Sequence, residues 1–558
     1  MAFLRHSSLR PLAVAMALAL LLGFGLARGL HATSQAGEAG GTPAALPAQP
    51  GSPENLRSQL DVFSQVLYLV ENNYVEPPDN EKLIHGAIDG MLKTLDPHTV
   101  YLPEKRAERM DEDFRGEYSG IGIQFEIRDG AIVVISPLEG TPAFRLGISA
   151  GDRITEVDRK PLAKTITNDD VFKLLRGPTG STVEVTLVRD DVPDPMHFSI
   201  ERAKIPIESV PYSYMIRPSV GYVRIVRFSQ TTGEELEKSL TTLKAAGMKS
   251  LLIDLRSNSG GLLSQAVDVL DQLVPNDKLL VYTRGRIPTS NADYRSTARP
   301  KLISGPIVVL IDHGSASASE IVSGAIQDMD RGLVAGTNSF GKGLVQNQLR
   351  LSDGSKLLLT VAHYYTPSGR MIQRDYSKFS DRDSYSEDAF KVDVPSDSIL
   401  ATLPKFKTAG GRLVYGGGGI YPDVLVKDLN NLTRPQADMI QKRAFWEFST
   451  RYLHKHKDTQ WTSKSFGTDF ALNDTEWADL RKAMEERKVA VSDSIWKADR
   501  PFILHQTRME LANLAMGPTE RYKIFTEIDT QLQTALDLFP RAAKLIAANG
   551  AAPAPQKN

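Results

Sequence analysis

Hydrophobic positions change their period along this chain, and each change marks a different kind of structure. Early on, Leu60, Phe63, Val66, Leu67 and Val70 recur every three or four residues and predict an amphipathic helix. A second helix, NEKLIHGAIDGMLKTL, is predicted to stop before Asp96-Pro97. From residue 118 the period drops to two. YSGIGIQFEIR, AIVVISPL, DRITEVD and STVEVTLVRD read as short strands separated by Gly or Asp turns, with short helices at TPAFRLG and NDDVFKLLRG. From about residue 219 strands and helices alternate: VGYVRIVRFS, TGEELEKSLTTLKAAG, SLLIDLR, LLSQAVDVLDQLV, KLLVYTR, PIVVLID, SEIVSGAIQDM and GLVAG. That alternation predicts an α/β layered domain, continued by the strands LVQNQLRL and KLLLTVAHYYT. A polar segment at 375–415 interrupts it, and GGGGIYPDVLV (416–426) reads as a return strand. The remainder is charged and helical: PQADMIQKRAFWEFSTRYL, DTEWADLRKAMEERKV, and a long run through ERYKIFTEIDTQLQTALDLF.

Composition narrows the class. At 558 residues the chain is too long for one ordinary core. Hydrophobic residues make up 41% and charged residues 24%, as in globular proteins, and no repeat of solenoid spacing is present. Lys plus Arg number 66 against 67 Asp plus Glu, so the charge balance gives no reason to expect nucleic acid as a partner. Without cysteine, disulfides, thiolate nucleophiles, Cys-based metal sites and a lipidated N-terminal cysteine are excluded. A basic start, the apolar run PLAVAMALALLLGFGLA, and small residues at Gly25 and Ala27 read as a secretory signal, with an uncleaved membrane anchor as the alternative. Either way the body is expected to be exported. The Gly/Ala/Pro-rich stretch 28–52 reads as a disordered linker, and 549–558 as a disordered tail.

The candidate chemistry lies in GSASASEIVSGAIQDMDRGLVAGTNSFGKGLVQNQ (314–348). Three readings fit parts of it. Ser317 and Glu320 match the capping box of a helix start. GTNSFGK matches a phosphate loop, but Gly343 stands where a magnesium-binding hydroxyl belongs, and the alternation that follows reads as a strand rather than a helix. The third reading joins both halves: a serine where helix N–H groups favour an oxyanion, with Lys342 as a base kept neutral by burial. Glycines on both sides let the lysine's backbone come close, and Phe340 is placed to exclude water. None of the ten histidines is a good base: His313 and His363 are nearest in strand context, while His454 and His456 sit in a charged helix. No H-E-x-x-H is present, so a zinc protease is unsupported.

This stretch resembles the active-site region of the carboxyl-terminal processing peptidases, also called tail-specific proteases. LDPHTVYL (95–102), SGIGIQF (119–125), LRGPTGSTVEVTLVR (175–189), LLIDLRSNSGGLL (251–263), YYTPSGRMIQ (364–373) and GIYPD (419–423) agree with it. The likeness runs from about 53 to 374 and leaves 375–415 and the helical tail unexplained. It implies a multidomain protein: an α/β catalytic core with crotonase-like or ClpP-like layering, an inserted PDZ-like α+β domain, and helical N- and C-terminal regions. The expected divisions are 1–27 signal or anchor, 28–52 linker, 53–112 helical region, 113–205 PDZ domain and 206–374 peptidase core completed by 416–428. After these come 375–415 as insertion, 429–548 as helical region and 549–558 as tail.

The resemblance also implies site roles. Ser317 is the expected nucleophile, Lys342 the base and Gln346 its orienting partner, with Ser315 and Ser319 as capping or packing groups. Residues i and i+4 on a strand lie ~13 Å apart, so a Lys342–Gln346 contact requires a bend, and a plain polar strand residue remains the alternative. Backbone amides of Ala318, Gly260 and Gly261 are the expected oxyanion donors, although NSGG also suits an ordinary turn. Ile121, Gly122 and Ile123 are expected to receive a free C-terminus in the PDZ domain. Val171 and Leu174 are either its pocket wall or plain core. Arg176 either couples peptide binding to catalysis or is simply solvated. No metal or other cofactor is expected. The expected partners are polypeptides with free C-terminal tails, with a homo-oligomer or adaptor and N-terminal membrane association left open. The expected place is the bacterial periplasm. A non-catalytic PDZ scaffold with the same fold is the competing reading.

Overall fold

The computed structural model describes residues 53–128, 130–189, 192–379, 382–389, 397–427 and 432–550. The expected signal or anchor and linker lie outside the described residues, as does the tail beyond Gly550. Among the described residues no helix is long and apolar enough to cross a membrane. The chain divides into two compact units, one through Leu83 and one from Ile84. The predicted first helix spans Pro53–Asn73 and the second Asn80–Lys93.

The main sheet runs in the order Tyr212–Arg217, Val220–Arg224, Ser250–Asp254, Ile307–Ile311, Gly332–Gly336 and Val424–Leu425, antiparallel in its first pair and parallel thereafter. Its central strands read LLID and IVVLI, apolar at nearly every position, so both faces must be covered. Leu251, Ile253, Val309, Ile311 and Val334 share one core with the helices Thr232–Ala245, Leu263–Leu273 and Ala318–Asp328. Leu252, Val308, Leu310, Leu333 and Ala335 point the other way. They pack against Leu532, Ala535, Leu536, Phe539 and Ala542 of helices Thr530–Leu536 and Phe539–Gly550. Each leucine, valine or phenylalanine side chain removed from water here contributes roughly 1.5–3 kcal/mol. The C-terminal helices therefore supply the sheet's second covering layer. They are also more broken than their sequence pattern suggests. Arg443 adopts a left-handed conformation (φ 56°) and splits the first run into Arg434–Gln441 and Ala444–Lys455. Asp529 caps a new helix and divides the last run.

LVQNQLRL and KLLLTVAHYYT do not extend the parallel sheet. Strands Leu344–Arg350 and Lys356–Tyr365 belong to a second sheet with Val100–Leu102, Leu279–Gly285 and Ala292–Arg295. Between residues 123 and 201 a five-strand path encloses its own apolar core, with helices Pro142–Arg145 and Asn168–Leu175. Ile123–Arg128 is the edge strand of this path. The stretch read as one strand, YSGIGIQFEIR, breaks at Gly122 (φ 81°). Its first half, Glu117–Gly120, pairs instead with Ala203–Pro206. The segment 375–415 holds helices Arg382–Ala389 and Asp397–Thr402 and a hairpin from Lys405–Lys407 to Leu413–Tyr415.

Candidate active site

Strand Ile307–Ile311 ends in a turn that delivers Ser317 to the start of helix Ala318–Asp328. The flanking serines are committed to main-chain oxygens: Ser315 Oγ donates to Leu255 O (2.8 Å) and Ser319 Oγ to Asn258 O (2.8 Å). Ser317 is different. Its backbone is strained (φ 55°, ψ −112°), and its side chain makes no cap hydrogen bond. Only the Glu320 half of the capping box is present as a hydrogen bond, from Ser317 N to Glu320 Oε2 (2.7 Å). A non-glycine residue held at such angles is costly and persists where its surroundings over-determine it.

Ser317 and Lys342 line one cavity of about 530 Å³ together with Gln346, Gly260 and Gly261, and no histidine lines it. The Lys342 amine donates to Gln346 Oε1 (2.8 Å), and Gln346 Nε2 donates to His98 O (2.7 Å). The amide is thereby fixed with its oxygen toward the lysine. Two features supply the bend that this contact needs. Lys342 lies ahead of the strand, which begins at Leu344, and the pairing slips between Val345 and Gln346, leaving Val361 unmatched. Gly341 and Gly343 are glycines for steric reasons. A Cβ at Gly341 would meet Arg374 Cβ at 2.9 Å, and one at Gly343 would meet Gln373 N at 2.8 Å.

Burial pushes the Lys342 ammonium below the ordinary lysine value of 10.5, assisted by Arg382, while Asp96 and Glu320 pull it back up. Burial also drives His98 down to about 3, so its ring is neutral; it sits edge-on to Phe340 and Tyr385.

The glycine pair meets the serine directly. A Cβ on Gly260 (φ 98°) would fall 2.8 Å from Ser317 Cβ and 2.9 Å from Ala318 N. The N–H of Gly260 is already committed to Asn258 Oδ1 (2.9 Å), which corrects its expected place among the oxyanion donors. Phe228 N donates to Gly260 O (3.0 Å) and Leu262 N to Phe228 O (2.8 Å), a parallel bridge that turns the N–H of Gly261 away from Phe228. The sequence read Asn258 only as part of a turn. It is fully buried and joins the two loops, its carbonyl accepting from Ala316 N (3.0 Å) and Ser319 Oγ and its amide donating to Ile225 O (2.8 Å). Tyr364, which the sequence reading did not single out beyond its motif, donates through its hydroxyl to Ser317 O (3.1 Å).

Comparison with known proteins gives the family. The family described as Peptidase family S41 matches residues 219–377, the PDZ domain 119–197, and the Activating protease CtpB N-terminal domain 27–106. A carboxy-terminal-processing protease of Bartonella bacilliformis is 38% identical over 57% of this chain and 74% of its own length. The chain belongs to the carboxy-terminal processing proteases of peptidase family S41. Carboxy-terminal processing protease CtpB of Bacillus subtilis is 36% identical over 59% of this chain and 69% of its own. Among solved structures, a photosystem II D1 C-terminal processing protease is 28% identical with a TM-score of 0.33, covering 64% of this chain and 85% of that one.

In this carboxy-terminal processing protease the PDZ groove lies between the edge strand Ile123–Arg128 and helix Asn168–Leu175. The carbonyls of Ile121 and Gly122 accept from Ala143 N (2.9 Å) and Leu138 N (2.9 Å), and both residues line the groove with Ile123. Val171 lines it while fully buried. Leu174 does not: Phe172 and Leu175 take the place expected for it, because VFKLL offers apolar side chains to neighbouring faces of one helical turn. Arg176 is not simply solvated. Its guanidinium lies over the rings of Tyr118 (4.2 Å) and Phe172 (4.5 Å) and pairs with Glu112 of helix Glu104–Arg115 (2.5 Å). Among the described residues no group of three or more His, Asp or Glu side chains is placed to hold a metal ion.

Proposed function

We propose that this protease is an exported serine endopeptidase of the periplasm that captures the free C-terminus of unfolded substrates in its PDZ groove and cleaves the tail upstream. The observation that carries the reading is a half-buried lysine, oriented by Gln346, sharing a cavity with a strained, uncapped serine at a helix start. Neutral Lys342 would take the proton of Ser317 Oγ as that oxygen attacks the scissile carbonyl. The oxyanion would form against the N–H of Ala318 and of Gly261, aided by the helix start. The lysine would then pass its proton to the leaving amine, and water would hydrolyse the acyl-enzyme by the reverse route. Export rests on the basic start and apolar run of residues 1–27.

The edge strand Ile123–Arg128 has a free side on which an extended peptide can add as a further strand. The test uses Ser317→Ala and an unfolded substrate with an apolar C-terminus. The variant is expected to bind this substrate without cleaving it, and amidation of the terminal carboxylate should weaken binding about tenfold or more, the loss of charge-assisted hydrogen bonds. Cleavage by Ser317→Ala would reject the nucleophile. Binding by the native protein without any cleavage would leave a PDZ scaffold in place of an enzyme.

A further inference from the structure

We infer that Glu320 is a positioning residue for catalysis: one buried carboxylate sets the spacing between the serine and lysine backbones. The inference rests on the Ser-Lys reading above. A capping box asks of Glu320 only the bond from Ser317 N. Glu320 accepts three more, all from the loop that carries the lysine: Ser339 Oγ (2.6 Å) and Gly341 N (2.7 Å) on Oε1, and Lys342 N (2.9 Å) on Oε2. Because Oε2 also takes Ser317 N at 2.7 Å, the two backbone nitrogens lie within about 6 Å of each other. Phe340 N donates to Ser315 O (3.0 Å), closing the loop onto the serine turn a second time.

Glu320 is fully buried, a placement that would be very costly for an unpartnered carboxyl group. Burial pushes its pKa up, while all four donors oppose that rise and favour the carboxylate. Three of the four are backbone N–H groups, which can only donate. The Ser339 hydroxyl is turned toward Glu320 because its own oxygen accepts from Ile420 N (2.6 Å). An amide in place of the carboxylate would set its NH₂ against the two donors of one oxygen, so either the Ser339 and Gly341 contacts or the shared contact of Ser317 N and Lys342 N must open. A cap serving the helix alone has no use for the three loop bonds.

Glu320→Gln tests this. The expected result is a kcat lower by roughly 10- to 100-fold, the effect of displacing reacting groups by about an ångström, with KM for a tailed peptide little changed. The acid limb of kcat/KM should also move to lower pH. The charges acting on Lys342 are Asp96 and Glu320, which hold its ammonium up, and Arg382, which pushes it down; the neutral His98 ring adds none. Tyr364 and Tyr385, the other titratable groups that sense Glu320, stay neutral because burial raises both. Removing the Glu320 charge therefore lowers the lysine's pKa further. A cap serving the helix alone would lower the melting temperature and leave kcat in place, overturning the inference; the shift of the limb reports the lost charge in either case. Ser339→Ala keeps the charge and removes one donor. It should lower kcat less and leave the limb unmoved, and it carries the test should Glu320→Gln fail to fold; a wild-type kcat in it would then overturn the inference. Wild-type kcat in folded Glu320→Gln, beside an inert Lys342→Met, overturns the spacing role alone. Activity surviving in Lys342→Met overturns the Ser-Lys reading beneath it.

Discussion

Lys342→Met is expected to lower kcat by about four orders of magnitude or more while the protein stays folded, because a base and nucleophile that act as one unit are lost together. Methionine keeps an apolar stem of similar length where the lysine is half-buried, and it has no proton to exchange. The wild-type pH profile gives the complementary result. Burial favours the uncharged amine, so kcat/KM should rise with pH through a midpoint below the ordinary lysine value of 10.5 and then level off. Stability carries the same sign. A lysine whose pKa is lower folded than unfolded binds fewer protons when folded, so stability rises with pH between the two values and is reduced below both. At pH 7, below the unfolded lysine's value, the lowered pKa costs the wild type stability, and the methionine variant escapes that cost. The melting temperature of Lys342→Met relative to wild type should therefore be higher at pH 7 than at pH 10.5. A variant that hydrolyses tailed substrates at the wild-type rate would discard the base, whatever its stability.

What the sequence could and could not announce follows from how far apart the interacting residues lie. The layered α/β core was legible because LLID and IVVLI are apolar on both faces and helical periods lie between the strands. What covers the second face was not, since the partners of Leu252 and Leu310 include Leu532 and Phe539, far along the chain. The same holds within the site. The serine's helix start and the glycines around Lys342 are local signals. The slip that brings Gln346 back to the lysine depends on which residue of a neighbouring strand goes unmatched. Glu320 was readable as a cap for Ser317, yet its other three donors belong to a loop about twenty residues on. The PDZ helix was predicted and its phase was not: Val171, Phe172, Leu174 and Leu175 are all apolar, and only the sheet opposite decides which of them face the groove. Arg176 likewise reads as solvated until Tyr118 and Phe172 are seen beneath its guanidinium.

Gly260→Ala should be nearly as damaging to activity as loss of an oxyanion donor, about 10²- to 10³-fold in kcat, although Gly260 donates no free N–H. Two effects act together. The residue sits at φ 98°, where a Cβ is strained by roughly 1–3 kcal/mol. The new methyl would also lie 2.7 Å from Ala316 O, 2.8 Å from Ser317 Cβ and 2.9 Å from Ala318 N. None of these is the end of a flexible side chain, so relief must come from moving the serine, its donor N–H, or the Asn258–Gly261 loop. Each of these movements displaces a reacting or charge-stabilising group. Gly247→Ala separates the two effects. Gly247 follows helix Thr232–Ala245 at φ 89°, and a Cβ there would meet nothing within 4 Å. It should lose about 1 kcal/mol of stability through backbone strain and keep its kcat. If Gly260→Ala shows only the stability loss of Gly247→Ala, with kcat intact, the glycine pair merely permits a turn. If kcat collapses in the first variant alone, the close approach of Gly260 to Ser317 keeps the serine in register with the donors on either side of it.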